Sequence, residues 1–82
     1  MQIQLIEGHF DTKEALEILT QLIHVKIRFH ENKIQASSHE EDIKMREKRI
    51  KHLQKDLYEL RKLIESHSGT IDLHAKVEVQ LA

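Results

Sequence analysis

The chain has 82 residues and a formal net charge of −1, with 13 Lys or Arg against 14 Asp or Glu. It has no Cys, no Pro and only two Gly, which excludes a disulfide framework, a thiolate metal site, a Cys nucleophile and a Gly-rich phosphate loop. No apolar run is long enough for a membrane span or a signal-peptide core, so we expect a cytoplasmic protein with one domain over residues 1–82.

The first element is predicted to be a strand over about residues 1–7. In the first five positions apolar side chains alternate with glutamine, a period of two that is typical of a strand with one buried face. Ile6 then breaks the alternation, and Gly8 follows as a residue that is depleted in strands. We therefore expect this strand to be short.

The next element is predicted to be a helix over about residues 12–35. Asp11 followed by Glu14 matches the capping box with which many helices begin. The apolar residues of this helix cover two adjoining faces, which is more than one neighbouring element can bury. We therefore expect it to be the inner helix, with Leu22 and Phe29 among the most buried residues of the assembled protein.

A second helix is predicted over about residues 39–66. Ser38 followed by Glu41 repeats the capping-box pattern, and Gly69 lies near the position after a helix that favours a left-handed residue. The apolar residues form one narrow seam of the coiled-coil type, which touches a single neighbour. We therefore expect this to be the outer helix.

The last element is predicted to be a strand over about residues 70–81. From Ile71 to Leu81, apolar residues alternate strictly with polar ones, and several of the apolar residues are β-branched. This pattern is typical of an antiparallel strand with one face on a core and the other in water.

The predicted fold is therefore α+β with the order β-α-α-β. The two helices form a long antiparallel hairpin, which returns the chain to its starting end. The terminal strands can then pair antiparallel and lie back over the helices. Because two strands leave unpaired edges and the first helix has a surplus apolar face, we expect dimerisation to complete the domain, as a homodimer or a dimer of dimers.

A continuous helix is an alternative to the hairpin. One heptad phase runs unbroken from Ala15 to Ile64, so a single long helix in an antiparallel, domain-swapped dimer is also compatible with the sequence. The companion positions become polar in the middle, and the stretch around Ser38 suits a helix start better than a helix interior. These observations favour the hairpin.

The charges are distributed unevenly. Residues 1–42 carry four basic and eight acidic side chains, whereas residues 43–66 carry eight basic and four acidic ones. The basic second helix is a candidate surface for nucleic-acid phosphates, although i, i+4 ion pairs and a solvated outer face explain most of this charge. The candidate contact residues are Lys44, Lys48, Arg49, Lys51 and Lys55.

Catalytic, metal and cofactor sites are not predicted. None of the seven histidines lies three or four residues from another, so the spacing of zinc ligands on a helix is absent. Serines occur where caps and turns use them. We therefore expect that this protein is not an enzyme.

The function expected from the sequence is that of a small, non-enzymatic, homodimeric module for protein–protein interaction or regulation, binding another protein and no membrane. Its exposed elements are the polar face of the second helix and the polar residues of the last strand, Asp72, His74, Lys76 and Glu78. A nucleic-acid-associated dimer is the alternative, which the net charge of −1 disfavours.

Overall fold

The computed structural model describes all 82 residues, which form four elements in the order β1, α1, α2 and β2. The bounds are β1 Gln2–Phe10, α1 Thr12–Ala36, α2 Glu40–Glu65 and β2 Ile71–Glu78. β1 and β2 pair antiparallel, and the helices form a hairpin with a break at residues 37–39. The predicted β-α-α-β order with paired terminal strands is confirmed, and the continuous helix is not formed.

β1 is longer than predicted because a β-bulge accommodates the break in its alternation. Gln4 pairs with Lys76 and Ile6 pairs with Ala75, which leaves Leu5 without a partner across the ribbon. One extra residue shifts the strand's alternation by one position. Ile6 therefore continues the apolar face of Ile3, and the strand runs on to its end at residue 10.

α1 begins with the predicted capping box. The Asp11 carboxylate accepts a hydrogen bond of 2.7 Å from the Glu14 backbone N–H, and the Glu14 carboxylate accepts one of 3.4 Å from the Asp11 N–H. The bond from the Glu14 N–H favours the ionised form, so it lowers the pKa of Asp11 below its ordinary value. The box fixes the helix start at Thr12.

α2 begins without the capping box predicted from Ser38 and Glu41. Its N-cap residue is His39, whose side chain caps no backbone N–H. The short connection uses Ser37 instead, whose hydroxyl oxygen accepts a hydrogen bond of 3.2 Å from the His39 N–H. Three acidic side chains in the first turn stabilise the helix start through the macrodipole. The cap pattern therefore located the helix start within two residues but not the residue that caps it.

The helices meet along one seam. On α2 this seam is the predicted apolar stripe, whose members are half-buried or, at Ile64, buried. On α1 it is a stripe on which Ile23 and Ile27 are half-buried and His30 is buried. The whole chain buries only three residues, and the third is Ala15 near the start of α1. The core of a single chain is therefore very small.

Leu22 and Phe29 are not buried in the single chain, and their burial in the assembled protein stays a prediction. They are 37% and 53% exposed. Both belong to the second apolar face of α1, which lies beside the stripe that contacts α2. Periodicity identifies an apolar face, but burial needs a neighbouring element along its whole length, and within one chain this face has none.

The strands form a narrow ribbon that meets the helices mainly at its base. Most contacts run strand to strand or helix to helix, and few join helices to strands. At the base Phe10 and Ile71 are half-buried, whereas Val77 and Val79 near the free end are exposed. The expectation that the strands lie back over the helices is wrong, because equal lengths permit overlap but do not set the angle between the two units.

The molecule is consequently extended and flat. Its radius of gyration is 15.4 Å, and its principal extents are 47 × 32 × 13 Å. A compact chain of this length has a radius of gyration of about 12 Å. The difference reflects the ribbon leaving the helical hairpin rather than packing along it.

Candidate functional site

One apolar face of the helical hairpin is exposed in the single chain. Leu22, Val25 and Phe29 follow one another at spacings of three and four residues, so they form one stripe along α1. Val25 is 63% exposed. On α2, Met45 and Leu63 are apolar and exposed, and their separation of 18 residues, or about five helical turns, places them on one side of that helix. We call these five residues the open face.

An apolar groove continues this surface at the base of the ribbon. It has a volume of about 450 Å³ and lies at the connection between α2 and β2. Leu63 of the open face lies at its edge and is 69% exposed. The other apolar lining residues are Leu19, Leu60, Ile64, Ile71 and Leu73. Groove and open face together form an apolar surface without a neighbour in the single chain.

A polar cleft lies between α1 and α2 around His30. It has a volume of about 390 Å³, and most of its lining residues are polar or charged. α1 contributes Lys26 and His30, and α2 contributes the remaining lining residues Met45, Lys48, Arg49, His52, Leu53 and Asp56. Leu22 and Phe29 lie four residues before and three after Lys26, so the cleft opens beside the open face.

His30 is held at the floor of this cleft by a chain of polar contacts. Nη1 of Arg46 lies 3.1 Å from Nδ1 of His30. Nε of the same guanidinium lies 3.5 Å from the Asp42 carboxylate, close enough for an ion pair but without a hydrogen bond. The Phe29 ring packs edge-on to the imidazole at 5.8 Å between centroids. The orientation of the imidazole is thereby fixed.

The environment of His30 disfavours its charged form. His30 is buried, with 5% of the residue's surface exposed. Desolvation is the main reason that the pKa of His30 is lowered below 6.5, and the positive charges of Arg46, Arg49 and Lys26 add to it. The ring is therefore neutral near pH 7.

The basic residues predicted as nucleic-acid contacts are all exposed on α2, but they do not form one group. Helical spacing places four of them on a single stripe, and it separates Arg49 from that stripe. Lys48 and Arg49 line the polar cleft. Lys44 lies 3.4 Å from the Glu40 carboxylate in an i, i+4 pair. The four-lysine stripe consists of Lys44, Lys48, Lys51 and Lys55.

His30 is the functional candidate that sequence reasoning missed. From the sequence, the seven histidines were considered only for their spacing as metal ligands, and in the structure no group of three His, Asp or Glu side chains comes together as a metal site would need. His30 nevertheless lies three residues after Ile27 and four before Ile34, the spacing of a seam position on α1. That spacing was the available signal.

The comparisons with known proteins found no match: no family model, no curated protein and no solved structure resembles this chain. Neither helix is long and apolar enough to cross a membrane. The residues and their geometry are therefore the basis for a functional proposal.

Proposed function

We propose that this protein is a non-enzymatic homodimeric interaction module, in which a second copy covers the open face and the adjoining groove. The proposal rests on the solvent-accessible surface area of the single chain, which is larger than that of a compact monomer of the same mass. The accessible surface of the single chain is 6781 Å². A compact monomer of 9.7 kDa exposes about 5,100 Å².

The excess area has the size that a stable dimer needs. It amounts to roughly 1,700 Å² per chain, so two chains that each hide this excess bury about 3,400 Å² in total. Permanent homodimers bury areas of this class, and their interfaces are rich in apolar side chains. The open face supplies such side chains, and the ribbon adds unpaired strand edges that a second copy can cover.

The chemistry of the polar groups supports a binding role over catalysis. Two serine hydroxyls at the helix ends, those of Ser37 and Ser66, take part in local backbone hydrogen bonds. His30, whose pKa is shifted, hydrogen-bonds to Arg46 rather than to a nucleophile. We therefore propose that the module acts by binding a partner and not by catalysing a reaction. The cytoplasmic location and the further protein partner expected from the sequence stay predictions.

Sedimentation equilibrium of the wild-type chain and of Val25→Glu tests the dimer. We expect wild type to have twice the 9.7 kDa mass of one chain at micromolar concentration. A carboxylate at the centre of the open face would have to be buried by dimerisation, so Val25→Glu is expected to be largely monomeric.

The matched control is His24→Glu, which places the same carboxylate on the exposed polar side of α1. It should remain dimeric. A wild-type mass near 9.7 kDa at all concentrations would contradict the proposal, as would equal dissociation of both variants.

A second candidate function, binding of nucleic acid, rests on the four-lysine stripe. Its lysines recur along 12 residues of one exposed helix face, a spacing that suits a row of phosphates. The acidic first half of the chain opposes such binding, because the net charge is −1. A mobility-shift titration at low salt separates the two functions: the absence of a shift would remove the second candidate.

A further inference from the structure

We propose that the polar cleft between α1 and α2 binds a phosphate group, which accepts a hydrogen bond from Nε2–H of His30 and lies between Lys26 and Arg49. The cleft shares Met45 with the open face, but the proposed phosphate contacts His30, Lys26 and Arg49 lie outside that face, so the proposal does not rest on the dimer. The argument rests on the protonation of the imidazole, on a donor without an acceptor and on the charges around it.

The contact with Arg46 determines which nitrogen of His30 carries the proton. A guanidinium group has only hydrogen-bond donors. Nδ1 of His30, at 3.1 Å from Nη1 of Arg46, must therefore act as the acceptor. In the neutral ring the proton then lies on Nε2, which becomes a hydrogen-bond donor.

This donor has no acceptor within the chain. Nε2 of His30 is buried and makes no hydrogen bond. Buried polar groups in folded proteins nearly always have a partner, so this N–H is available to an acceptor that the chain itself does not supply. The Asp42 carboxylate does not supply it, since it lies 3.5 Å from Nε of Arg46 and makes no hydrogen bond to His30.

The charges lining the cleft are suited to an anion with more than one negative charge. Lys26, Lys48 and Arg49 are cationic, and Asp56 is the single acidic lining residue. Lys26 and Arg49 lie close enough to His30 to lower its pKa through their charge. A phosphate group carries up to two negative charges and several acceptor oxygens, so it can engage both cations and the Nε2–H together. A side-chain carboxylate has one charge and satisfies fewer of these donors.

The cleft is open and large enough for such a group. Its volume of about 390 Å³ exceeds what a phosphate needs, and the long side chains of Lys26, Lys48 and Arg49 line it together with His30. These side chains can move aside and then close over an anion, whereas the imidazole is held in place by Arg46 and Phe29. The site thus combines one fixed donor with adjustable charges.

Titration with inorganic phosphate tests the site, at pH 7 and with the ionic strength held constant by KCl. We expect saturable binding by calorimetry with one phosphate per chain, and a shift of the His30 Nε2 resonance in nitrogen-15 NMR spectra. Lys26→Gln should weaken binding by at least about tenfold, the loss typical of a hydrogen bond to a charged group. Lys55→Gln, on the four-lysine stripe, removes the same charge outside the cleft and should bind as wild type does.

Two variants of His30 identify its role. His30→Leu keeps an apolar seam but removes the donor, and we expect it to abolish binding. His30→Gln retains an N–H close to the Nε2 position and should restore part of it. If His30→Leu fails to fold, the NMR shift of His30 in the wild-type chain still decides the question.

Three results would overturn the proposal: no saturable binding of phosphate, equal binding by Lys26→Gln and wild type, or an unmoved Nε2 resonance at saturation. Acetate is the carboxylate control. If acetate binds as tightly as phosphate, the cleft recognises a carboxylate and the phosphate assignment is wrong. None of these results changes the sedimentation outcome for Val25→Glu, so failure of this site is distinguishable from failure of the dimer.

Discussion

His30 is a buried histidine whose surroundings are cationic on both sides. Arg46 occupies its Nδ1 side, and Lys26 and Arg49 lie near the cleft. Nearly all other polar side chains of the chain are exposed, so this imidazole is the residue at which burial and charge act together most strongly. It links the small core of the hairpin to the one cleft rich in positive charge.

The stability of the fold should depend on pH through His30. Its pKa is below the ordinary 6.5 when folded, so the unfolded chain binds a proton at a higher pH than the folded chain does. The free energy of unfolding should therefore be highest above pH 6.5 and fall as the pH decreases from 6.5 towards the folded pKa. Urea unfolding at one protein concentration between pH 7.5 and 5 measures this slope.

His30→Gln provides the comparison, because it cannot titrate in this range. Its unfolding free energy should vary less with pH than that of wild type, while its other six histidines remain the same. Parallel curves for the two proteins would show that His30 is not the group responsible.

At the scale of elements, the two helix starts show how similar patterns lead to different caps. Asp11 and Glu14 form the complete reciprocal box at α1. Ser38 and Glu41 have the same spacing, but the chain turns one residue later, and His39 takes the N-cap position. The Ser37 hydroxyl oxygen accepts a hydrogen bond from the His39 N–H, so the geometry of the short connection determines which residue becomes the N-cap.

The difference between the two helix starts predicts unequal effects of alanine. Asp11→Ala removes the acceptor for the Glu14 N–H and should lower the midpoint of thermal unfolding by several degrees. Ser38→Ala removes a side chain that caps nothing, so its melting curve should coincide with that of wild type. Circular dichroism at 222 nm measures both. A larger loss for Ser38→Ala would contradict the observed caps.

The helices and strands could be predicted from the sequence because each depends on a pattern of neighbouring residues. The period-two alternation of apolar and polar residues predicted both strands. The break in this alternation at Ile6 is explained by the β-bulge at Leu5. The packing of the elements did not follow, because it depends on angles between units that no local pattern encodes. Leu22 and Phe29 were correctly placed on an apolar face of α1, but the ribbon leaves the helices before covering them. His30 was missed since a polar residue on a seam gives no apolar signal.

At the scale of the whole molecule, an extended shape accompanies a very small core. Only three of 82 residues are fully buried, so the single chain has little buried apolar surface to set against the conformational entropy lost on folding, and we expect it to be marginal as an independent unit. Folding and association are then expected to be coupled, with a midpoint of unfolding that rises with protein concentration. The fold thus places its main hydrophobic surface where a second copy can reach it.

The free end of the ribbon brings the two ends of the chain together. The Val79 N–H donates to the Met1 carbonyl at 2.8 Å, and the terminal amine of Met1 donates to the Val79 carbonyl at 3.1 Å. A circular permutant that joins Ala82 to Met1 through a short Gly-rich linker and opens the chain at Ser38 should therefore keep the fold. Its circular dichroism spectrum should match that of wild type, and loss of helix would contradict the adjacency of the ends. Because the connection between the helices is then cut, the permutant cannot exchange helices through it, and any dimer that it forms must use surfaces that both copies present in their folded form.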